Sequence, residues 1–432
     1  MRFSMAGDDC SLHFDLDALS QKQQADHRAN QVLTGMLQLA LMYMAKPQDQ
    51  VCLYEAFDQA PWREARHRYL NMFTRMGLCS RGFARTTFHG VDDYYESVAK
   101  TETDAEYENL YMISGSNAVL HQSQAALQMS RNLNSKDHFA EYAPAFGLPV
   151  PETIITTKTA IADNASEVNR FLQTHGPDVM LKTLGLAGAR NVTSVSSRAE
   201  ALQYLDEYPA DEPLILQAKL NTKDYIEMTV DLQVSEARIS ISNVRKILFA
   251  EGLWVGNLMG SAGKLSAQDE ATLLRVGEYA RDHGFLNPDV PAETYNLGID
   301  YFVRSKHAAQ DLPALIVTEI NARWTGGLFP AELVRRLDCG HLPVVAFIDM
   351  CPADLFYTYL DFVEQHLYDP SSAQPWSIAP MGFSPLTDDV DGVPHIFVWQ
   401  IVIGDFKQFK ADKAGELGEQ ALVTVPLIDT DQ

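Results

Sequence analysis

The chain has 432 residues, 46% of them hydrophobic, with 34 basic against 57 acidic side chains and a formal charge of -23. That balance excludes nucleic-acid binding and attachment to anionic membranes, which need basic surface, but not the binding of small anions, which depends on local charge. The five cysteines, Cys10, Cys52, Cys79, Cys339 and Cys351, contain no Cys-x-x-Cys pair, so neither a zinc site nor a disulfide framework is suggested.

In chain order, Met1 to Asp9 carries acidic side chains where an export signal would be basic, so a cytoplasmic protein is expected. Val32 to Ala45 is interrupted by Thr34, Gly35 and Gln38 and is shorter than the about 20 residues that span a membrane, which predicts a buried helix. Strands are predicted at Gln50 to Phe57 and at Asn109 to Asn117, the latter ending in a small-residue turn read as structural; their alternation with helices implies an open α/β sheet. Asn134 or Ser135 caps a predicted helix from Lys136 to Phe146, stopped by Gly147. Glu167 to His175 is a helix, and Ser197 with Glu200 has capping-box spacing for another running through Tyr208.

Between those helices, Asp178 to Val195 reads as a strand delivering Lys182, a loop with Gly185 and Gly188, and a second β-rich segment. Pro213 to Leu220 is an apolar strand. Gln268 to His283 is a helix with Ala271, Leu274 and Ala280 on or near one face. Asn296 to Val303 and Ala314 to Ile320 alternate in polarity around the polar link Arg304 to Pro313, which predicts a hairpin. Pro330 sits in the first turn of a helix after Gly327, and Ala379 to Leu427 holds short β-like runs. A chain of this length exceeds one ordinary core, so several packed lobes are expected.

Glu319 to Gly327 carries the most chemistry. In an extended strand the carboxylate of Glu319, the amide of Asn321 and the guanidinium of Arg323 fall on one face. The predicted hairpin brings Asp300 beside them, giving three oxygen donors suited to one or two hard divalent cations against a nucleotide's phosphates. Gly326 and Gly327 allow the backbone to approach phosphate oxygens closely. Lys182 supplies a point charge above a loop whose amides can cover phosphates. Other motifs fail: a phosphate loop at Gly260 to Leu265 would need glycine at 258 and Ser or Thr at 265 where the chain has Leu258 and Leu265, and Ser116 lacks the glycine of a nucleophile elbow.

These residues resemble the ATP-grasp superfamily of carboxylate-amine ligases, whose metal strand carries Glu-x-Asn followed in many members by Arg, as in Glu319, Asn321 and Arg323. Asp300 matches the upstream acidic ligand, while Gly298 stands where some ligases carry arginine. The resemblance implies an α/β (α+β) ATP-grasp fold with an N-terminal pre-ATP-grasp α/β domain at 1–130, a small lobe at 131–220, a large lobe at 221–345 and a small C-terminal module at 346–432. It implies Mg²⁺, with Mn²⁺ as a substitute, on Asp300, Glu319 and Asn321. ATP would lie against Lys136, Lys182, Gly185 and Gly188, with adenine at Gln217 and the main chain of Ala218 to Leu220, and ribose at Glu227. Arg323 and Lys182 would stabilise developing charge, and Arg245, Arg323, Gly326 and Gly327 would meet substrate, with Lys246, Arg190 and Trp254 as further candidates.

The expected activity is ATP-dependent amide formation between a small carboxylate and an amine through an acyl phosphate, giving ADP and phosphate in dipeptide or specialised-metabolite synthesis. The pre-ATP-grasp portion and C-terminal module make the chain similar to pheganomycin-type peptide ligases. An ATP-grasp kinase or carboxylating enzyme and a non-catalytic ATP-binding regulator are the alternatives, and a homodimer is common among such relatives.

Overall fold

The structure, a computed structural model, describes residues 1–5, 7, 9–100, 107–116, 124–185, 191–250, 253–259, 265–285, 295–390, 392–418, 421 and 425–426. Gly188, Arg190 and the loop Gly260 to Lys264 lie outside the described residues. Among the described residues no helix is long and apolar enough to cross a membrane.

Three sheets organise the chain. The first is parallel, in the order β3-β2-β1-β4, from β1 Arg2–Ser4, β2 Gln50–Tyr54, β3 Arg85–His89 and β4 Tyr107–Asn109. Parallel strands require crossover connections, which helices such as Gln21–Gln38, Trp62–Arg75 and Tyr94–Lys100 provide, and β2 is buried along its whole length. The helix Gln21–Gln38 begins at a capping box: Ser20 Oγ accepts from Gln23 N–H at 3.3 Å, and Gln23 Oε1 accepts from Ser20 N–H at 2.9 Å. The apolar stretch predicted as one helix is therefore the end of this long helix plus a second, Ala40–Met44. The predicted strand at Asn109 to Asn117 is displaced upstream to β4, and the turn follows at Gly115 and Ser116.

The second sheet is antiparallel, in the order β5-β8-β6-β7, from β5 Thr153–Thr157, β6 Val179–Lys182, β7 Val192–Val195 and β8 Pro213–Ala218. Its alternation sets direction: Val179, Leu181, Leu214 and Leu216 are buried on helices Ser166–His175 and Arg198–Tyr204, which leaves Met180, Lys182 and Gln217 for the other face. Helix Arg198–Tyr204 is capped by Ser197, but Glu200 turns to Ser196, and the helix stops short of Tyr208.

The third sheet has eight antiparallel strands, in the order β13-β12-β9-β10-β11-β14-β16-β15. They are β9 Tyr225–Val234, β10 Ile239–Ala250, β11 Leu253–Met259, β12 Tyr295–Arg304, β13 Leu315–Asn321, β14 Val344–Pro352, β15 Trp376–Val390 and β16 Val393–Gly404. Val230, Leu232, Leu297, Ile299 and Tyr301 form a core with helix Ala267–Asp282. That helix buries Leu273, Val276, Gly277, Tyr279 and Ala280, so its inward face is rotated from the predicted one, and Ala271 is exposed. The intervening positions, Glu227, Thr229, Asp231, Asp300 and Phe302, point to the opposite side.

The C-terminal residues are appended edge-on: β16 and β15 extend the same sheet beyond β14, and helix Gln21–Gln38 packs across β15. The expected boundary at 345–346 falls inside β14, and the one at 130–131 inside helix Gln124–Asn134.

Candidate active site

The cleft faces of the second and third sheets enclose a cavity of about 680 Å³, within the ordinary range for ligand sites. It is lined by Lys136, Lys182, Gln217, Ala218, Leu220 and Glu227, by Asp300, Glu319, Asn321 and Arg323, and by Arg245, Gly326 and Gly327. Residues far apart in sequence thus converge on one site.

The hairpin β12–β13 sets its centre. Asp300 lies directly opposite Glu319 and Gly298 opposite Asn321, with a bulge after Asp300. Asn321 Nδ2 donates to Asp300 Oδ2 at 3.2 Å, which leaves the Asn321 amide oxygen for another partner. Burial and the neighbouring Glu319 carboxylate push Asp300 up to about 6. Glu319 is partly buried, which acts to raise its pKa, but Lys136, Lys182 and Arg323 together hold it below the ordinary glutamate value. Lys136 Nζ is 2.9 Å from Glu319 Oε1.

Lys136 opens the helix Lys136–Tyr142, which ends well before the expected Phe146. Ser135 is its N-cap residue by position, yet its hydroxyl bonds Asp137 instead of a main-chain amide. Lys182, at the end of β6, is nearly fully buried; burial lowers its pKa while Glu319 acts to restore it. Glu227, on β9 opposite Phe302, is raised to about 7 by burial first and then by Asp300.

Arg323 lies just past the end of β13, so the predicted single strand face extends only through Asn321. Its guanidinium is nevertheless fixed in the cleft. Nη1 donates to Asn134 Oδ1 at 2.8 Å, Nη2 lies 3.3 Å from Asp9 Oδ1, and the plane sits over the Tyr111 ring at 5.1 Å. Tyr111 in turn donates to Asp9 at 2.7 Å. Asp9 and Tyr111 carry no signal for this role in the sequence, and Asn134 reads there only as a helix cap. Asp9 is 314 positions from its partner, and no spacing rule connects them.

The adenine-edge assignment meets a more engaged set of groups. Gln217 lines the cleft, but its Nε2 donates to Thr153 Oγ1 at 3.0 Å, and the Ala218 N–H donates to Glu152 O at 2.9 Å. Lys219, not singled out in sequence, also lines the cleft and lies 3.2 Å from Ser194 Oγ. Gly185, at φ +97°, borders a smaller recess shared with Asp9, His13, Lys136 and Glu319. His13 was another unrecognised neighbour, held neutral by burial at about 4.

Arg245 is 1% exposed and its guanidinium is committed to Asp231, with further bonds to Asn257 at 3.0 Å and Thr325 at 3.4 Å. Gly326 and Gly327 lie flat over this wall: a Cβ at 326 would come within 2.7 Å of the Trp254 ring, and one at 327 within 2.5 Å of Arg245. The glycine pair is thus required by close packing, whatever it does for a ligand.

No protein-family model matches the chain, and no curated protein matches it by sequence. Solved structures do. The chain is similar to N5-carboxyaminoimidazole synthetase from Staphylococcus aureus, solved with ADP, at 12% identity and a TM-score of 0.54, over 88% of this chain and 95% of that one. It also aligns with phosphoribosylamine–glycine ligase from Thermotoga maritima, at 12% identity and a TM-score of 0.49, over 86% and 96% of the two chains. At such identity the first likeness establishes architecture alone: the chain has the ATP-grasp fold, with an N-terminal pre-ATP-grasp α/β domain.

Proposed function

We propose that the protein is an ATP-dependent carboxylate-amine ligase that activates a small acid as an acyl phosphate and joins it to an amine, releasing ADP and phosphate. The observation that carries this reading is the convergence of Asp300, Glu319 and Asn321 with Lys136, Lys182 and Arg323 in one cleft. The Staphylococcus aureus structure of similar fold was solved with ADP, which supports a nucleotide at this site.

The donor set fits a hard divalent cation. Two partly buried carboxylates face each other across β12 and β13, one of them driven towards protonation, and an amide oxygen lies beside them. Among the described residues no group of three His, Cys, Asp or Glu side chains suits a metal, and in this reading the amide oxygen of Asn321 would be the third donor. Asp300, Glu319 and Asn321 would hold Mg²⁺, or Mn²⁺ on the same oxygens, which would supply positive charge against a nucleotide's phosphates.

Lys136 and Lys182 place ammonium groups beside the carboxylates, where they offset charge on the nucleotide's phosphates. A substrate carboxylate oxygen attacks the γ-phosphorus as the bond to ADP breaks. Arg323, fixed by Asp9 and Asn134, presents its guanidinium beside the negative charge that develops. The amine nitrogen then attacks the acyl carbon, the C–O bond to phosphate breaks, and the nitrogen loses its proton. Activation replaces an oxide leaving group with phosphate, and the small sheet over the cleft limits loss to water. The finer reading is a peptide ligase of the pheganomycin type acting on amino acids in specialised metabolism.

The test is ADP release with Mg²⁺ on pairs of acids and amines, with mass spectrometry of the product. Release that needs both partners and yields an amide is the expected result. A phosphorylated product or a requirement for bicarbonate selects a kinase or carboxylating enzyme, and nucleotide binding without turnover on any pair selects a regulator.

A further inference from the structure

Beyond the carboxylates the cleft continues into a compartment of different character. Strands β10 and β11 contribute Ile247, Phe249 and Trp254 to its lining, helix Gln21–Gln38 contributes Leu33 and Leu37, and β14 contributes Ile348. Phe249 keeps 37% of its surface exposed, and Leu33, Leu37 and Trp254 are only half-buried. Large apolar side chains exposed together inside a concave site, rather than singly on the outer surface, mark a place where an apolar ligand group removes water.

The charged and hydroxyl groups around Arg245 are paired with one another, whereas Asn30 Nδ2 and Trp399 Nε1, which also line the cavity, are buried donors without a hydrogen-bond partner among the described residues. The Arg245 guanidinium is neutralised by the fully buried Asp231, and Thr325 Oγ1 also donates to Asp231 at 3.0 Å. With Asp231 beside it, the Arg245 guanidinium offers an incoming anion little net positive charge. The loop that follows the metal strand sets the position of the indole, because Gly326 lies against Trp254. The apolar compartment is thus built continuously onto the reacting end.

Resting on the ligase reading, we infer that the acid substrate carries an apolar side chain of aromatic size and no phosphate group. Its side chain lies among Phe249, Trp254, Leu33 and Leu37, and its carboxylate points towards the cationic groups Lys136, Lys182 and Arg323. An uncharged ring removes water from these apolar walls, whereas a phosphate or a second carboxylate would be desolvated beside an Arg245 guanidinium already neutralised by Asp231.

The test uses the full-length protein with MgATP and hydroxylamine, which converts any acyl phosphate to a hydroxamate whatever the natural amine. Phenylalanine, tryptophan and leucine are compared with aspartate, O-phosphoserine and bicarbonate, and MgADP binding is measured separately. Apolar acids should give kcat/KM at least about tenfold above the charged ones. Phe249→Ser should raise KM for them by roughly 10- to 100-fold with MgADP affinity within about twofold, and Phe249→Leu should retain most activity. Intact MgADP binding with aspartate, O-phosphoserine or bicarbonate preferred, or with KM indifferent to Phe249→Ser, overturns the substrate class while sparing the nucleotide site. Loss of MgADP binding, or binding with no hydroxamate from any acid, overturns the ligase reading and this inference with it.

Discussion

Glu319→Gln removes one negative charge and keeps the side chain's shape, which isolates the electrostatic part of the site. The carboxylate lies 2.9 Å from Lys136 Nζ, and the two side chains are 22% and 14% exposed. At an effective dielectric constant of about 20 that separation corresponds to about 6 kcal/mol of gross attraction. Most of it is offset by the desolvation of both groups, and the glutamine oxygen still accepts a hydrogen bond, so the folded protein should lose only about 1–3 kcal/mol. The functional loss should be far larger, because one of two anionic metal ligands disappears. MgADP affinity should fall at least about tenfold and product formation at least about 10³-fold, while ADP affinity in EDTA changes little. Calorimetric titration of ADP with and without Mg²⁺, on wild type and variant, separates these effects without knowledge of the acid. A Glu319→Gln protein that binds MgADP with unchanged affinity and supports ATP-dependent amide formation within tenfold of wild type would falsify the metal-site assignment.

Other outcomes follow from the same geometry. Gly326→Ala places a methyl 2.7 Å from the Trp254 ring; the forced shift should lower stability by roughly 1–3 kcal/mol and reduce kcat/KM, and an unchanged thermal melt with unchanged kinetics would contradict the packing. Lys413→Met should destabilise the C-terminal edge by about 3–5 kcal/mol in a denaturant melt, because Asp349, 1% exposed, would keep its charge without its ion-pair partner. The double change with Asp349→Leu should recover much of that loss. With EDTA present, stability should fall as pH rises: burial lifts Asp300 to about 6 and Glu227 to about 7, so the folded chain holds protons that the unfolded chain has already released. The decline spans the window from their ordinary values up to about 7 and then levels off. Mg²⁺ affinity should run the opposite way, rising with pH through about 6 as Asp300 ionises, and flat titrations in both series would contradict the burial of these carboxylates.

The parts of this site that were readable from sequence are those whose geometry is local. A strand's side chains alternate, and a hairpin pairs neighbours, so Glu319 and Asn321 on one edge and Asp300 opposite them follow from a few dozen residues. Lys182 at the end of a short apolar strand is readable for the same reason. Helix ends were less so: the helix at Lys136 stops at Tyr142 and the one at Arg198 stops at Tyr204, because tertiary packing overrides weak stop signals. The inward face of Ala267–Asp282 was misread for a related reason, since the glycine at 277 that lets the helix approach Leu232 and Ile239 carries no apolar signal of its own. Hidden altogether were the contacts that depend on the relative placement of lobes. Arg323 is steered by Asp9 and Asn134 from the other end of the chain, and Arg245, read as a free grip for substrate, is held by Asp231 across two strands. A guanidinium's chemistry is set by its partner, and the partner's identity is a property of the assembled sheets. For this chain, residue type and spacing therefore picked out side chains that the fold brings into one cleft, while which of its cations are paired depended on contacts that arise only when the three sheets meet.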